Sequence, residues 1–204
     1  HLDRHGTLEN YVAAKAKIFN HGRLKTAVIG IDSPETYKIY EKIKSANSFD
    51  VIPISSTQRL SDGISAHNGM LEEYGKTIFQ PDGAPSLPGE HNLQNIAAAY
   101  AVTRALGVDS ATICKKIRNF SGLSHRLERI ADVNGIQFIN DSKATNIEAA
   151  AKALACYNNI YWIAGGRSKI QEFSRLDPYL NKVVHAFLIG ECEKDLSEAF
   201  DGLV

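Results

Sequence analysis

Residues 122–146 read GLSHRLERIADVNGIQFINDSKATN, and the fold around them follows from this pattern. Asn134-Gly135 is typical of a hairpin turn, and the apolar residues on its two sides predict strands near 127–133 and 136–140. The second strand runs directly into the polar run NDSKATN at the start of a predicted helix. Ligand-binding groups of α/β proteins lie at such strand-to-helix junctions, so the stretch predicts a binding site as well as a fold class.

Strands and helices alternate after the break at Phe120-Ser121-Gly122. This alternation predicts an α/β fold, with a largely parallel sheet that carries helices on its faces. We place a domain boundary at the break, between residues 1–122 and 123–204. Besides the hairpin, the predicted elements are helices at 146–156, about 172–181 and 193–200, and strands at 160–164 and 183–189.

The part before this boundary also alternates between apolar strands and helical segments. An amphipathic helix is predicted over 8–20. Short strand-like pieces separated by Gly, Pro, Asp and Ser predict a small antiparallel excursion within 60–88. The remaining predicted elements are strands at 26–31 and 51–54 and helices at 34–46, about 92–106 and 109–119.

The bulk composition excludes several classes of protein. Lys+Arg and Asp+Glu both number 23, so the formal net charge of zero argues against a nucleic-acid partner. No apolar run approaches the length of a membrane span, which argues against a membrane partner. Three widely spaced cysteines without a CxxC pair indicate reduced thiols, and we expect a cytoplasmic protein.

Four motifs, in this order, resemble the Mur ligase family. They are HLDRHGTLENYVAAKAKIF at 1–19, GEHNLQNIAAAYA at 89–101, SHR followed by NDSKATN at 124–146, and IAGGRSK at 163–169. The resemblance covers nearly the whole chain and is thin between residues 30 and 85. It implies the later part of a central ATPase-type domain over 1–122 and an incomplete, Rossmann-like, amino-acid-binding C-terminal domain over 123–204.

Within the family, NDSKATN is most similar to the member that adds D-glutamate to UDP-N-acetylmuramoyl-L-alanine in peptidoglycan synthesis. The resemblance implies ATP-dependent ligation through an acyl phosphate, with ATP and two Mg²⁺ ions as cofactors and a monomeric protein. The family's P-loop motif G-x-x-x-x-G-K-[ST] does not occur in the sequence. We therefore expect the chain to be a fragment, inactive by itself.

The resemblance implies a metal role for two residues near the N-terminus. His1 occupies the position of a magnesium-ligating histidine, and Lys15 that of a lysine that becomes carbamylated and helps to hold the second Mg²⁺. A carbamate converts the cation into an anionic oxygen ligand, the type that Mg²⁺ prefers. The residue types alone also allow roles without a metal, an incidental polar residue for His1 and a solvated helix lysine for Lys15.

Four residues are implied to bind ATP. Asn92 and Asn95 would lie near the adenine and phosphates, and their three-residue spacing puts them on one helix face. Arg126 would reach the phosphates, and Asp141 would bind the ribose. The residues alone leave open a helix cap for Asn92 and a surface ion pair with Glu128 for Arg126.

A second group is implied to bind the amino-acid substrate. Lys143, Thr145 and Lys169 would hold the D-glutamate carboxylates, and His125 would orient the loop or touch the ligand. If NDSKATN is extended, Asp141, Lys143 and Thr145 point to one side. The alternatives are a solvated loop for Lys143 and a helix cap for Thr145 or Asn146, of which we predict Asn146.

Two other functions stay open from the sequence. The missing P-loop favours a non-catalytic module that binds a nucleotide or a partner without turnover. A related carboxylate–amine ligase, such as a folylpolyglutamate synthase, shares the architecture, but NDSKATN argues against it.

Overall fold

The computed structural model describes residues 2–20, 22–80, 84, 86–167, 173–200 and 202. The chain divides into two compact units. The first comprises His1–Pro85 and Glu90–Phe120, and the second comprises Ser86–Gly89 and Ser121–Val204. Within the described residues, no helix combines the length and the apolar character needed to cross a membrane.

The first unit contains one five-stranded sheet in the order β1-β2-β3-β4-β5. Strands β1, β2 and β3 are parallel, whereas β3, β4 and β5 are antiparallel. Its described elements are α1 (Leu2–His5), α2 (Leu8–Ala16), a 3-10 helix (Lys17–Asn20), β1 (Thr26–Gly30), α3 (Pro34–Ala46), β2 (Asp50–Ser55), β3 (Ile64–His67), β4 (Met70–Glu73), β5 (Lys76–Phe79), α4 (Glu90–Ala105) and α5 (Ser110–Arg118).

The predicted antiparallel excursion is confirmed, but it extends the main sheet and includes β4, which the sequence analysis missed. Its first strand, β3, pairs in parallel with β2 through Ile54 and Ile64. A glycine is needed next to this junction, because a Cβ on Gly63 would lie 2.2 Å from the carbonyl oxygen of Pro53. The short polar segments therefore turn the chain without ending the sheet.

Local capping sets the bounds of α3, as predicted from Pro34 at its start. The Ser33 hydroxyl accepts a hydrogen bond from the backbone N–H of Thr36 at 3.2 Å. Asn47 ends the helix in the left-handed region, with φ of 46°. The apolar face of α3 buries Tyr40 and Ile43 in a core with the β1 residues Ala27 and Ile29.

The helix predicted over 8–20 is present as α2 followed by the 3-10 helix at Lys17–Asn20, but the buried apolar face that the prediction implied does not form. Helix α2 ends at Ala16, and none of its residues is buried. Leu8 and Ile18 are 46% and 63% exposed. Lys15 occupies the position where helical spacing from Tyr11 would place the next apolar residue, so no continuous apolar stripe forms.

The second unit contains two separate strand pairs. Strands β6 and β7 form an antiparallel hairpin, and β8 pairs in parallel with β9. Asn134 and Gly135 turn the hairpin with positive φ values of 53° and 81°, as expected for this dipeptide. The described elements are β6 (Glu128–Val133), β7 (Ile136–Asn140), α6 (Ile147–Ala155), β8 (Ile160–Gly165), a 3-10 helix (Phe173–Leu176), α7 (Asp177–Leu180), β9 (Val183–Ile189) and α8 (Glu193–Ala199).

A single apolar core holds the helices of this unit on one face of the β8–β9 pair. Leu154 of α6 and Leu196 of α8 are buried together with Ala186 of β9. The Trp162 and Phe200 rings contact each other with centroids 5.4 Å apart and a 44° angle between their planes. The predicted α/β fold with parallel strand pairing is confirmed in this arrangement.

Candidate functional site

The two motifs at the centre of the sequence analysis meet in the second unit. The backbone N–H of Lys143 donates to the carbonyl of His125 at 3.1 Å. The backbone N–H of Leu127 donates to Oδ1 of Asp141 at 3.1 Å. Asn140 Nδ2 lies 2.9 Å from His125 Nδ1. The SHR loop and the NDSKATN segment are therefore joined by backbone and side-chain hydrogen bonds on both sides of Arg126.

The SHR loop has an unusual backbone. His125 and Leu127 have φ values of 66° and 45°, in the left-handed region that non-glycine residues seldom adopt. The N–H of His125 donates to Glu128 Oε2 at 2.7 Å, and the N–H of Arg126 donates to the Leu123 carbonyl at 3.1 Å. Such strained residues persist where surrounding contacts hold them, and they concentrate at functional sites.

The NDSKATN segment is not extended, so the condition under which Asp141, Lys143 and Thr145 would point to one side is not met. The N–H of Ala144 donates to the Asp141 carbonyl at 2.8 Å, and the N–H of Thr145 donates to the Lys143 carbonyl at 2.9 Å. These bonds make a turn, which lets the N–H of Lys143 reach the SHR loop. Asn146 caps α6 as predicted, accepting from the N–H of Ala149 at 2.8 Å.

The cationic side chains of this cluster are exposed to solvent. Arg126, Lys143 and Thr145 are exposed, whereas Asp141 is half-buried. Within the described part of the second unit, no carboxylate pairs with Arg126 or Lys143. The alternative ion pair between Arg126 and Glu128 is wrong, because the Glu128 carboxylate lies against His125 instead. Two unneutralised cations on a fixed backbone suit anionic ligands such as phosphate and carboxylate.

The proposed adenine-side residues lie in the first unit. Asn92 and Asn95 share one face of α4, as predicted, and Asn95 Nδ2 donates to Asn92 Oδ1 at 3.1 Å. The alternative helix cap for Asn92 is wrong, because α4 begins at Glu90 and Asn92 already belongs to its first turn.

Asp32 forms a polar cluster that the sequence analysis did not single out. Its Oδ1 accepts hydrogen bonds from the hydroxyls of Ser55 and Thr57. Its Oδ2 accepts from the N–H and the hydroxyl of Ser56 at 2.8 and 2.9 Å and from Gln94 Nε2 at 2.8 Å. The signal was present in the sequence, since Asp32 lies just beyond β1 and Ser55-Ser56-Thr57 lie at the carboxyl end of the parallel strand β2.

This cluster fixes the helix that carries the two asparagines. Gln94 lies between Asn92 and Asn95 in α4, and its amide is held by Asp32 beyond the end of β1. Burial raises the pKa of the Asp32 carboxyl, but hydrogen bonds from Ser55 and Ser56 outweigh it, and the pKa lies below its ordinary value. The carboxylate is therefore charged at neutral pH and accepts from all its donors.

Lys15 is the residue implied to hold magnesium that the structure describes. Lys15 is exposed on α2, with its ammonium 5.5 Å from the centre of the Tyr11 ring. His1 and Lys169 lie outside the described residues. In the described part of the chain, no three His, Cys, Asp or Glu side chains gather into a possible metal site.

Comparison with known proteins places this geometry in a family. A model of the Mur ligase middle domain matches residues 1–103. UDP-N-acetylmuramoylalanine–D-glutamate ligases of Phenylobacterium zucineum and Cereibacter sphaeroides are 40% and 42% identical to the chain over 207 and 205 residues. The matches cover 99% and 97% of this chain but 44% of each relative, so the chain spans less than half the length of these relatives.

Solved structures of lower identity share the fold. A UDP-N-acetylmuramate-alanine ligase from Thermotoga maritima has a TM-score of 0.69 at 17% identity, covering 100% of this chain and 46% of that one. A UDP-N-acetylmuramoylalanyl-D-glutamyl-2,6-diaminopimelate–D-alanyl-D-alanyl ligase from Acinetobacter baumannii has a TM-score of 0.62 at 21% identity, covering 94% and 44%. With the family model matching half of its length, the chain belongs to the Mur ligase family.

Proposed function

We propose that this chain is part of an ATP-dependent ligase that joins D-glutamate to UDP-N-acetylmuramoyl-L-alanine through an acyl phosphate. The observation that carries the proposal is the interlocked pair of loops in the second unit, which presents Arg126 and Lys143 with no counter-ion among the residues that the structure describes. The relatives named above, which are 40% and 42% identical over almost the whole chain, support the choice of reaction.

Each domain has a separate task in this proposal. Residues 1–122 form the later part of an ATP-binding domain, and residues 123–204 form an amino-acid-binding domain. The division of the chain into compact units between Phe120 and Ser121 supports this boundary. The protein acts in the cytoplasm as a monomer.

The nucleotide side uses three kinds of contact. Asn92 and Asn95 donate and accept hydrogen bonds near the adenine and phosphates, and Arg126 pairs with phosphate oxygens through its planar guanidinium. Asp141 accepts from the ribose hydroxyls through Oδ2, since its Oδ1 already accepts from the Leu127 N–H. His1 and a carbamylated Lys15 take part in holding Mg²⁺, which neutralises phosphate charge when bound.

The amino-acid side uses charge and hydroxyl donation. Lys143 and Lys169 pair with the carboxylates of D-glutamate, and Thr145 donates its hydroxyl to one of them. His125 supports this side through its carbonyl, which accepts from the N–H of Lys143. The turn in NDSKATN supports the proposal because it fixes the backbone of Lys143 while leaving its side chain exposed.

Phosphate release tests the reaction and the substrate together. The natural-length protein is incubated with ATP, Mg²⁺ and UDP-N-acetylmuramoyl-L-alanine, and D-glutamate is compared with L-glutamate. Release that depends on D-glutamate is expected. Absence of release with either amino acid, from a folded natural-length protein, would leave a nucleotide-binding module without turnover.

Substitution of Lys143 tests the amino-acid side. Loss of one charge-assisted contact costs about 1.5 to 3 kcal/mol, so Lys143→Ala is expected to raise the D-glutamate KM roughly 10- to 100-fold with little change in the ATP KM. Lys152→Ala, which removes an exposed lysine of α6, is the matched control. An unchanged D-glutamate KM would remove Lys143 from the site.

A further inference from the structure

The side chain of Asn140, the last residue of β7, uses both ends of its amide. The backbone N–H of Ser142 lies 3.1 Å from Asn140 Oδ1. A backbone N–H only donates, so the atom facing it must be the amide oxygen. The other end is therefore the NH₂ group, and this group faces His125 Nδ1 at 2.9 Å.

The orientation of this amide fixes the protonation of the His125 ring. An NH₂ group only donates, so Nδ1 must accept and cannot carry a proton. The ring is then neutral, with its proton on Nε2. Glu128 Oε2 lies 3.8 Å from Nδ1 but accepts from the His125 backbone N–H, and Lys143 approaches from the facing turn through its own N–H.

We infer that Asn140 is a positioning residue, which holds His125 as the Nε2–H tautomer and so joins the loop of Arg126 to the turn of Lys143. Without this contact, two hydrogen bonds described above would still join the loops: Lys143 N–H to the His125 carbonyl, and Leu127 N–H to Asp141 Oδ1. The link to ligation rests on the function proposed above, whereas the tautomer assignment stands without it.

The tautomer is measured directly on the 204-residue chain. Long-range ¹H–¹⁵N NMR spectra of the imidazole rings distinguish protonated from unprotonated nitrogens, and a His125→Asn variant identifies the His125 signals among seven histidines. An unprotonated Nδ1 at neutral pH is expected in the wild-type chain. A protonated Nδ1 would overturn the inference without any further variant.

A change of one atom type at position 140 tests the cause. In Asn140→Asp the carboxylate only accepts, so the ring is expected to gain a proton on Nδ1, either by switching tautomer or by becoming charged. Asn134→Asp, the same change at the opposite end of the hairpin, is expected to leave the ring unchanged. An unprotonated Nδ1 in Asn140→Asp would contradict the assigned role.

The positioning role has a kinetic signature in the natural-length protein. His125→Phe removes the acceptor and is expected to raise the KM for both ATP and D-glutamate, because the two loops lose one of the contacts that join them. His125→Asn restores an acceptor at the Nδ1 position, and asparagine tolerates the left-handed backbone, so it is expected to recover both KM values. Equal effects of the two variants would refute the role even if the ligase reaction is confirmed.

Discussion

Asp32→Asn is expected to destabilise the first unit strongly, although it keeps the shape of the side chain. The wild-type carboxylate offers two acceptor oxygens, and each is the nearest acceptor for a donor of the cluster; the Ser55 hydroxyl has only Thr57 Oγ1, at 3.4 Å, as an alternative among the described contacts. Oδ2 faces the backbone N–H of Ser56 at 2.8 Å. Oδ1 faces the Ser55 hydroxyl, whose oxygen already accepts from the N–H groups of Thr57 and Gln58 at 3.1 and 3.0 Å.

The size of the effect follows from this donor arrangement. Asparagine has one acceptor oxygen. In either orientation of its amide, the NH₂ group therefore faces a group that donates a hydrogen bond in the wild type, the Ser55 hydroxyl or the Ser56 N–H. The variant loses one hydrogen bond to a charged group, about 1.5 to 3 kcal/mol, and leaves one donor unsatisfied at about 1 to 3 kcal/mol. Because Asp32 is only half-buried, we expect a loss near the lower end of the sum, about 3 kcal/mol.

Hydrogen–deuterium exchange measures this loss locally. Peptides that cover β1 and β2 report the opening free energy of the sheet around Asp32. Asp50→Asn, at the exposed start of β2, applies the same chemical change to the same sheet and is expected to have little effect. If the opening free energy of Asp32→Asn fell by an amount within about 1 kcal/mol of that for Asp50→Asn, the donors around Asp32 would not require both carboxylate oxygens.

The pH dependence supplies a second check with a defined sign. The pKa of Asp32 is lowered in the folded chain from its ordinary value of 3.8. A carboxyl with a lowered folded pKa stabilises the protein above its unfolded pKa, and this stabilisation is lost as pH falls through the folded pKa. The difference between wild type and Asp32→Asn is therefore expected to be constant near neutral pH and to shrink below about pH 3.8.

Two further substitutions test the second unit. Gly165→Ala places a Cβ 1.9 Å from the carbonyl oxygen of Ile189. We expect the free energy of unfolding to fall by about 3 kcal/mol, the upper end of the usual cost of overpacking, in urea unfolding followed by Trp162 fluorescence. Gly22→Ala, where nothing lies within 4 Å, is its control, and equal stabilities would show that β8 and β9 separate freely. Asn146→Ala removes the cap of α6 and is expected to lower the free energy of unfolding by about 1 kcal/mol in the same assay, whereas Asn146→Asp keeps an acceptor for the cap. Equal losses of stability in both variants would exclude the cap as the cause.

Prediction from sequence succeeded where short-range chemistry sets the structure. The Asn134-Gly135 turn, the α3 bounds around Pro34 and the cap at Asn146 each depend on residues within one turn of chain. The strand bounds of β9 were also predicted, because an apolar run between polar turns has few other solutions. Family membership followed from NDSKATN and its companion motifs.

Prediction failed where distant contacts override a local pattern. The side chains of NDSKATN would alternate only in an extended segment, but a turn lets Lys143 bond to His125, eighteen positions earlier in the sequence. The apolar residues of α2 suggested a buried face, yet Lys15 interrupts the stripe and the helix stays exposed.

The sequence alone determined the fold class, the family and the candidate site residues, because strand and helix periodicity, turn dipeptides and motif letters are local properties of the chain. Only the tertiary structure decided how those residues are held. The Asn140–His125 contact and the Asp32 cluster join atoms from segments far apart in sequence. Their existence depends on which strands pair and which loops face each other, and that is set by the packing of the whole unit rather than by any one stretch of it.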